Sequence, residues 1–301
     1  MRFHGGVPPR HCLRMLRDVT LYRIDRAGPL DSPTVIAAFA GWVDAGSAST
    51  SAATQLTIGA DVVATFDADL LYDYRARRPT LEILDGRPAE LTWPELVLRR
   101  TRIGGRDVLV LTGSEPDYRW RALADAAVAL SRELGVVEWI SLGAIPAAVP
   151  HTRPVTVFGT ESRPGLLGGG VEPGPEGILR VPAACLSVLD VAVSRAGIPA
   201  VGYFAQVPHY VSGAHPAAAV ELLRLLGARL GDEIPVGSLV EEARQLRSRL
   251  DAATAGDETT RAHVERLESM VDEARRPAGD DLISEIERFL RERGNEDPER
   301  P

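Results

Sequence analysis

The chain has 301 residues, 45% of them hydrophobic and 25% charged, which suits one large α/β domain or two smaller ones with a sizeable core. A formal net charge of −8 argues against a dedicated nucleic-acid binder, which would carry a basic face. All 34 basic residues are arginine, so a P-loop lysine, a Schiff-base lysine and a pyridoxal anchor are excluded together.

Residues 1–17 lack the continuous apolar run of a signal peptide and read as a disordered tail, with Met15 as an alternative start. No run reaches the roughly 18 apolar residues of a membrane span. The expected location is therefore the cytoplasm, with no membrane partner. Cys12 and Cys185 are too few for a disulfide framework or a cysteine zinc site.

The run TVIAAF at 34–39 suits a buried strand, and Gly41 to Gly46 breaks it. Asp44 is placed to cap a helix over 47–56. DVVATF at 61–66 reads as the next strand, giving the strand–helix–strand unit of a parallel sheet. Residues 70–95 are polar and aromatic. Strands are predicted at 96–101 and 108–112, joined at Gly104-Gly105-Arg106. A helix follows over 118–134, then a strand at 136–142, a glycine- and proline-rich loop at 164–177, a helix at 182–196, a strand at 200–205 and a helix at 216–230. Alternation of this kind predicts an α/β sandwich around a mostly parallel, partly mixed sheet over 18–235.

Beyond Pro235 the pattern changes. Leu239, Ala243, Leu246 and Leu250, then Val264, Leu267, Val271 and Ala274, recur at helical spacing on either side of a break at 255–257. They predict a helical hairpin. Leu282, Ile286, Phe289 and Leu290 mark a last helix, so that 236–294 forms a C-terminal helical extension, followed by a disordered tail at 295–301.

Four polar-aromatic clusters each follow a predicted strand: Trp42 with Asp44, Glu115 with Trp120, His151 with Arg153, and His209 with Tyr210. The carboxyl ends of parallel strands share one rim, where ligand crevices form. A fifth cluster over 72–79, including Arg78, is placed to cover the rim or to meet another subunit. In a working crevice Asp44, Glu115, His151 and His209 are the candidate acids and bases. Arg78 and Arg153 would clamp an anion, and Trp42, Trp120 and Tyr210 would stack on a ring. The competing reading makes the same groups turn and interface stabilisers. Trp139 and Cys185 read as core, and the arginines of 244–249 as a solvated helix face. Gly165 to Gly170 lacks phosphate-loop spacing, and His209 with His215 is no helical metal pair, so no metal or cofactor is expected.

Taken together, FAGWVDAG at 39–46, LYDYRARRPT at 71–80, WPE at 93–95, EPDYRW at 115–120, LGAIPAAVPHTRPV at 142–155, VPHY at 207–210 and LISEIERFLRERG at 282–294 resemble the proteasome assembly chaperone two family, and more narrowly its actinobacterial branch. The resemblance implies a three-layer α/β/α sandwich, nucleoside-phosphorylase-like, with a C-terminal helical extension. It further implies a non-enzymatic, chaperone-like protein acting through protein–protein contacts, a homo-oligomer with a trimer favoured, and proteasome subunits or related proteins as partners. The alternative is an enzyme or small-molecule binder that uses the strand-end crevice for a nucleoside-like ligand.

Overall fold

The computed structural model describes residues 20–25, 28–175 and 177–274. In chain order the strands are β1 (Tyr22–Ile24), β2 (Thr34–Ala40), β3 (Asp61–Phe66), β4 (Thr80–Leu84), β5 (Arg87–Thr92), β6 (Leu96–Ile103), β7 (Arg106–Ser114), β8 (Glu138–Ala147), β9 (Val157–Glu161), β10 (Glu172–Pro173) and β11 (Ala200–Pro208). The helices are α1 (Ala48–Leu56), α2 (Ala68–Leu71), α3 (Trp120–Glu133), α4 (Cys185–Arg195), α5 (Pro216–Leu230), α6 (Leu239–Gly256) and α7 (Glu258–Ala274).

Nine strands form one sheet in the order β1-β3-β6-β7-β2-β8-β11-β9-β10. Its centre, β7-β2-β8-β11, is parallel throughout. These strands are buried on both faces, which is why they read as continuous apolar runs rather than alternating ones. One face packs against α3 and α4, the other against α1 and α5. The result is the three-layer α/β/α sandwich, with α6 laid against α5 and α7 against α6.

Three local features depart from the expected plan. The unit β2-α1-β3 does not make an adjacent parallel pair: β3 pairs antiparallel with β6 and β1, because the β6–β7 hairpin inserts between β3 and β2. That hairpin turns through Gly104 and Gly105 at φ +57° and +75°, conformations open to glycine. Second, the polar segment 70–95 contains a separate two-stranded sheet, β4–β5, turning at Asp85-Gly86, with every residue of both strands exposed. Third, β9 runs antiparallel to β11 within the stretch that leads into the glycine-rich loop.

The C-terminal hairpin follows the predicted seam. Leu239, Val264 and Leu267 are buried, while Ala243, Leu246, Leu250 and Val271 are half-buried. Asp257 separates the helices and accepts the N–H of Thr260 at 2.7 Å, capping α7. The expected tails at 1–17 and 295–301 and the last helix over 282–290 lie outside the described residues.

Candidate functional site at the carboxyl rim

The four central strands end at one rim, and the clusters pair according to strand neighbours. At the β7 and β2 ends, the Glu115 carboxylate is buried and wholly committed to backbone. Its Oε2 accepts the Trp42 N–H at 2.9 Å, and its Oε1 accepts the N–H of Cys185 at 2.7 Å, at the first turn of α4. Trp42 itself is 67% exposed. A Cβ on Gly41 would stand 2.4 Å from the Glu115 carboxylate, so glycine is what lets the loop close over it. Trp120 packs beside the core and donates its indole N–H to the Pro116 carbonyl at 2.6 Å. Burial, with Glu115 adding to it, pushes the Cys185 thiol up to about 12, which leaves it inert.

Asp44 sits at the start of α1, where its carboxylate accepts the N–H groups of Ser49 and Thr50 at 2.9 and 3.2 Å and both their hydroxyls. Ser47, immediately before α1, has a left-handed backbone and makes no cap of its own. Asp44 therefore does the capping from three residues upstream. Its four hydrogen bonds leave it no idle oxygen for proton transfer.

The fifth cluster folds onto the second. The Tyr72 hydroxyl reaches the carbonyls of Glu95 and Ser114 at 2.9 and 2.7 Å. Asp117 accepts the Asp73 N–H and the Arg77 guanidinium, both at 3.0 Å. Arg78 is exposed and makes no hydrogen bond or ion pair with the described residues. It is not paired with Arg153 around a common anion, since Arg153 is committed elsewhere.

At the β8 and β11 ends, His151, Arg153, His209 and Tyr210 meet the α6–α7 hairpin. The Tyr210 hydroxyl lies 2.7 Å from both the His151 N–H and its Nδ1. Accepting from the N–H and donating to Nδ1, it makes Nδ1 an acceptor and leaves Nε2–H to donate to Asp251 on α6 at 3.2 Å. Arg247, one helical turn before Asp251, bonds both Asp251 and the His151 carbonyl. Burial first, and then the Arg247 charge, push the His151 imidazole below its ordinary range, so it is neutral at pH 7. Arg153 meets Asp272 through two parallel hydrogen bonds of 2.9 and 2.7 Å and Glu268 at 3.0 Å, and Thr152 also bonds Glu268. His209, exposed, stacks edge-on with Tyr210 and with His263 of α7.

The sequence reading missed these α6 and α7 partners, treating the arginines of 244–249 as solvated. The available signal was the i,i+4 pair Arg247–Asp251 beside the Leu246–Leu250 seam. Between this half of the rim and the hairpin lies a cavity of about 360 Å³, reached by His151, Arg153, Gln206, His215, Leu246 and Arg247 among others. Among the described residues, no group of three or more His, Cys, Asp or Glu side chains is placed to hold a metal, and no helix is long and apolar enough to cross a membrane.

These features define a class: a mixed-sheet α/β/α protein whose rim is occupied by backbone-holding carboxylates on one side and closed by a helical hairpin on the other. The chain belongs to the PAC2 family, whose model matches residues 38–254. It is similar to a Streptomyces avermitilis PAC2 family protein, at 37% identity over 77% of this chain and 99% of that one, with a TM-score of 0.69. It is similar over the same shares, at 34% identity and the same TM-score, to a Mycobacterium tuberculosis proteasome-assembly chaperone homologue. A Corynebacterium glutamicum protein of unknown function matches at 30% identity over 86% of this chain and all of that one, with a TM-score of 0.80. No curated protein matches.

Proposed function

We propose that this protein is a proteasome-assembly-chaperone-like protein that works through protein–protein contact, as a homo-oligomer with a trimer favoured, in the cytoplasm. Its partners under this reading are proteasome subunits or related proteins. The observation that carries it is the β4–β5 arm. A lone two-stranded hairpin is marginal in water unless something covers it. Here Ile83 and Leu84 are 65% and 69% exposed, and Leu81, Leu91 and Trp93 on or beside the same arm are exposed as well. So many exposed apolar side chains on one arm support an interaction surface there. The family membership agrees, and so do Asp44 and Glu115, whose carboxylates hold backbone instead of standing ready for proton transfer.

The test pairs two measurements. Light scattering after gel filtration should give an oligomer for the wild type and a smaller mass for Ile83→Asp with Leu84→Asp, and for Arg78→Ala or Trp93→Ala. Affinity capture from native lysate should recover proteasome subunits with the wild type and lose them with the arm variant. Unchanged mass together with unchanged capture would overturn the reading.

A further inference from the structure

The cavity beneath the C-terminal hairpin has a composition unlike the rest of the molecule. The protein carries a net charge of −8, yet among the described residues no Asp or Glu lines the cavity, while Arg153 and Arg247 both do. The carboxylates that balance these arginines, Asp251, Glu268 and Asp272, stand outside the lining and orient the guanidinium groups. Arg153 uses all three of its nitrogens on them. Arg247 uses Nε and Nη1 and leaves Nη2 without a hydrogen bond to the described residues. The remainder of the wall is mostly apolar, from Val149 and Val155 on the rim side to Leu246 and Leu250 on α6.

Two further features point to an occupant. His215 lines the same cavity and is only 5% exposed, yet its Nδ1 meets no hydrogen-bond partner. That atom is shut off from solvent, so an occupant would meet the other ring nitrogen, Nε2, which makes no hydrogen bond with the described residues. His215 also precedes α5 without capping it, and Ala217, in the first turn of that 15-residue helix, lines the cavity too. The positive end of the α5 dipole therefore opens on the same space.

We propose that this cavity is a binding site for a small organic monocarboxylate, with its carboxylate between Arg247 and His215 at the start of α5 and its apolar body against Leu246, Leu250 and Val155. The volume of about 360 Å³ falls at the lower end of the roughly 300–1,000 Å³ of small-molecule sites, so the ligand is compact. One unpaired guanidinium nitrogen, Nη2 of Arg247, and one imidazole nitrogen suit two carboxylate oxygens. They are too few donors for a phosphate dianion. Because α6 supplies Arg247 and much of the apolar wall, an occupant would also bear on the hairpin's seat. The proposal stands on the cavity alone and does not rest on the chaperone-like reading.

The experiment is titration calorimetry on the full chain with hexanoate and phenylacetate, beside hexanol and inorganic phosphate as controls. The carboxylates should bind, with hexanol and phosphate weaker by about tenfold or more, the usual worth of a charged hydrogen bond. Arg247→Gln and His215→Phe should each weaken carboxylate binding by about tenfold. Ala243→Phe, which fills the cavity from α6, should abolish it, and Leu250→Phe serves the same purpose if that variant melts abnormally. Arg224→Gln, on the outer face of α5, should leave binding unchanged. The proposal is overturned if no carboxylate binds at about 10 mM, if hexanol or phosphate binds as well, or if binding survives the filled cavity.

Discussion

Glu115 joins three elements with one carboxylate, since β7 carries it, the loop after β2 donates to it and the first turn of α4 donates to it. Its removal leaves the buried N–H of Cys185 without an acceptor, at about 1–3 kcal/mol, and the part-buried N–H of Trp42 at less. Glu115→Ala should therefore lose about 3 kcal/mol in urea denaturation, and Glu115→Gln, which keeps one carbonyl oxygen, clearly less. No loss in Glu115→Gln, which keeps the bulk of the side chain but gives up one of its two acceptors, would mean that packing, not hydrogen bonding, is what Glu115 provides. Asp190 offers a second residue-scale prediction. Its carboxyl lies beside the Trp139 indole N–H, at 3.1 Å, and the Ser141 hydroxyl, and burial raises it to about 7. The folded state then keeps a proton that the unfolded chain releases near pH ~4. The Asp190 contribution is full below that pH and is lost as pH rises through about 7. Melting curves at several pH values should show this slope in the wild type and a flatter one in Asp190→Asn; an identical slope would remove Asp190 as its source. His151 and His215 act in the opposite sense. Burial lowers both, so their contribution is present above their unfolded value near ~6.5 and is lost as pH falls below it.

At the scale of elements, legibility followed burial. The central strands and α5 were readable because their apolar runs and their Gly and Pro boundaries agree with the fold around them. The capping role of Asp44 was readable for the same reason, since local chemistry decided it. The β4–β5 arm was missed because no face of it packs on the core, so neither strand alternates cleanly, although Asp85-Gly86 marked its turn. The site was half legible. That the clusters share a rim could be argued from strand order, but their division into two pairs could not. Asp251, Glu268 and Asp272 come from helices that pass for solvated ones until docked, and side chains about a hundred positions apart in sequence leave no local signal. The clasp they form is testable. Arg153→Ala removes the contacts to Glu268 and Asp272, so hydrogen exchange should quicken along α7 while α5, buried beneath, keeps its protection. Uniform quickening in both helices would mean that Arg153 supports the whole domain.

Across the whole molecule, the sheet divides the work between two sides. The β7 and β2 ends are tied down by Glu115 and by the Tyr72 segment, and they lead outward to the exposed arm. The β8 and β11 ends are closed by the hairpin. The clasp joins residues 96 to 119 positions apart, from Arg247–His151 to Arg153–Asp272. Contacts of such separation carry a loop-closure cost that is met only after the chain between them has folded. The seat for α6 and α7 needs β8, β11 and α5 in place, and the ribosome delivers the hairpin after all three. This order predicts that the hairpin docks last, so that pulse-labelled refolding should protect β2, β8 and β11 before α6 and α7; simultaneous protection would count against it. A chain halted before that step would present a formed sheet with its rim still open, so the cavity has a window in time as well as a place in the fold.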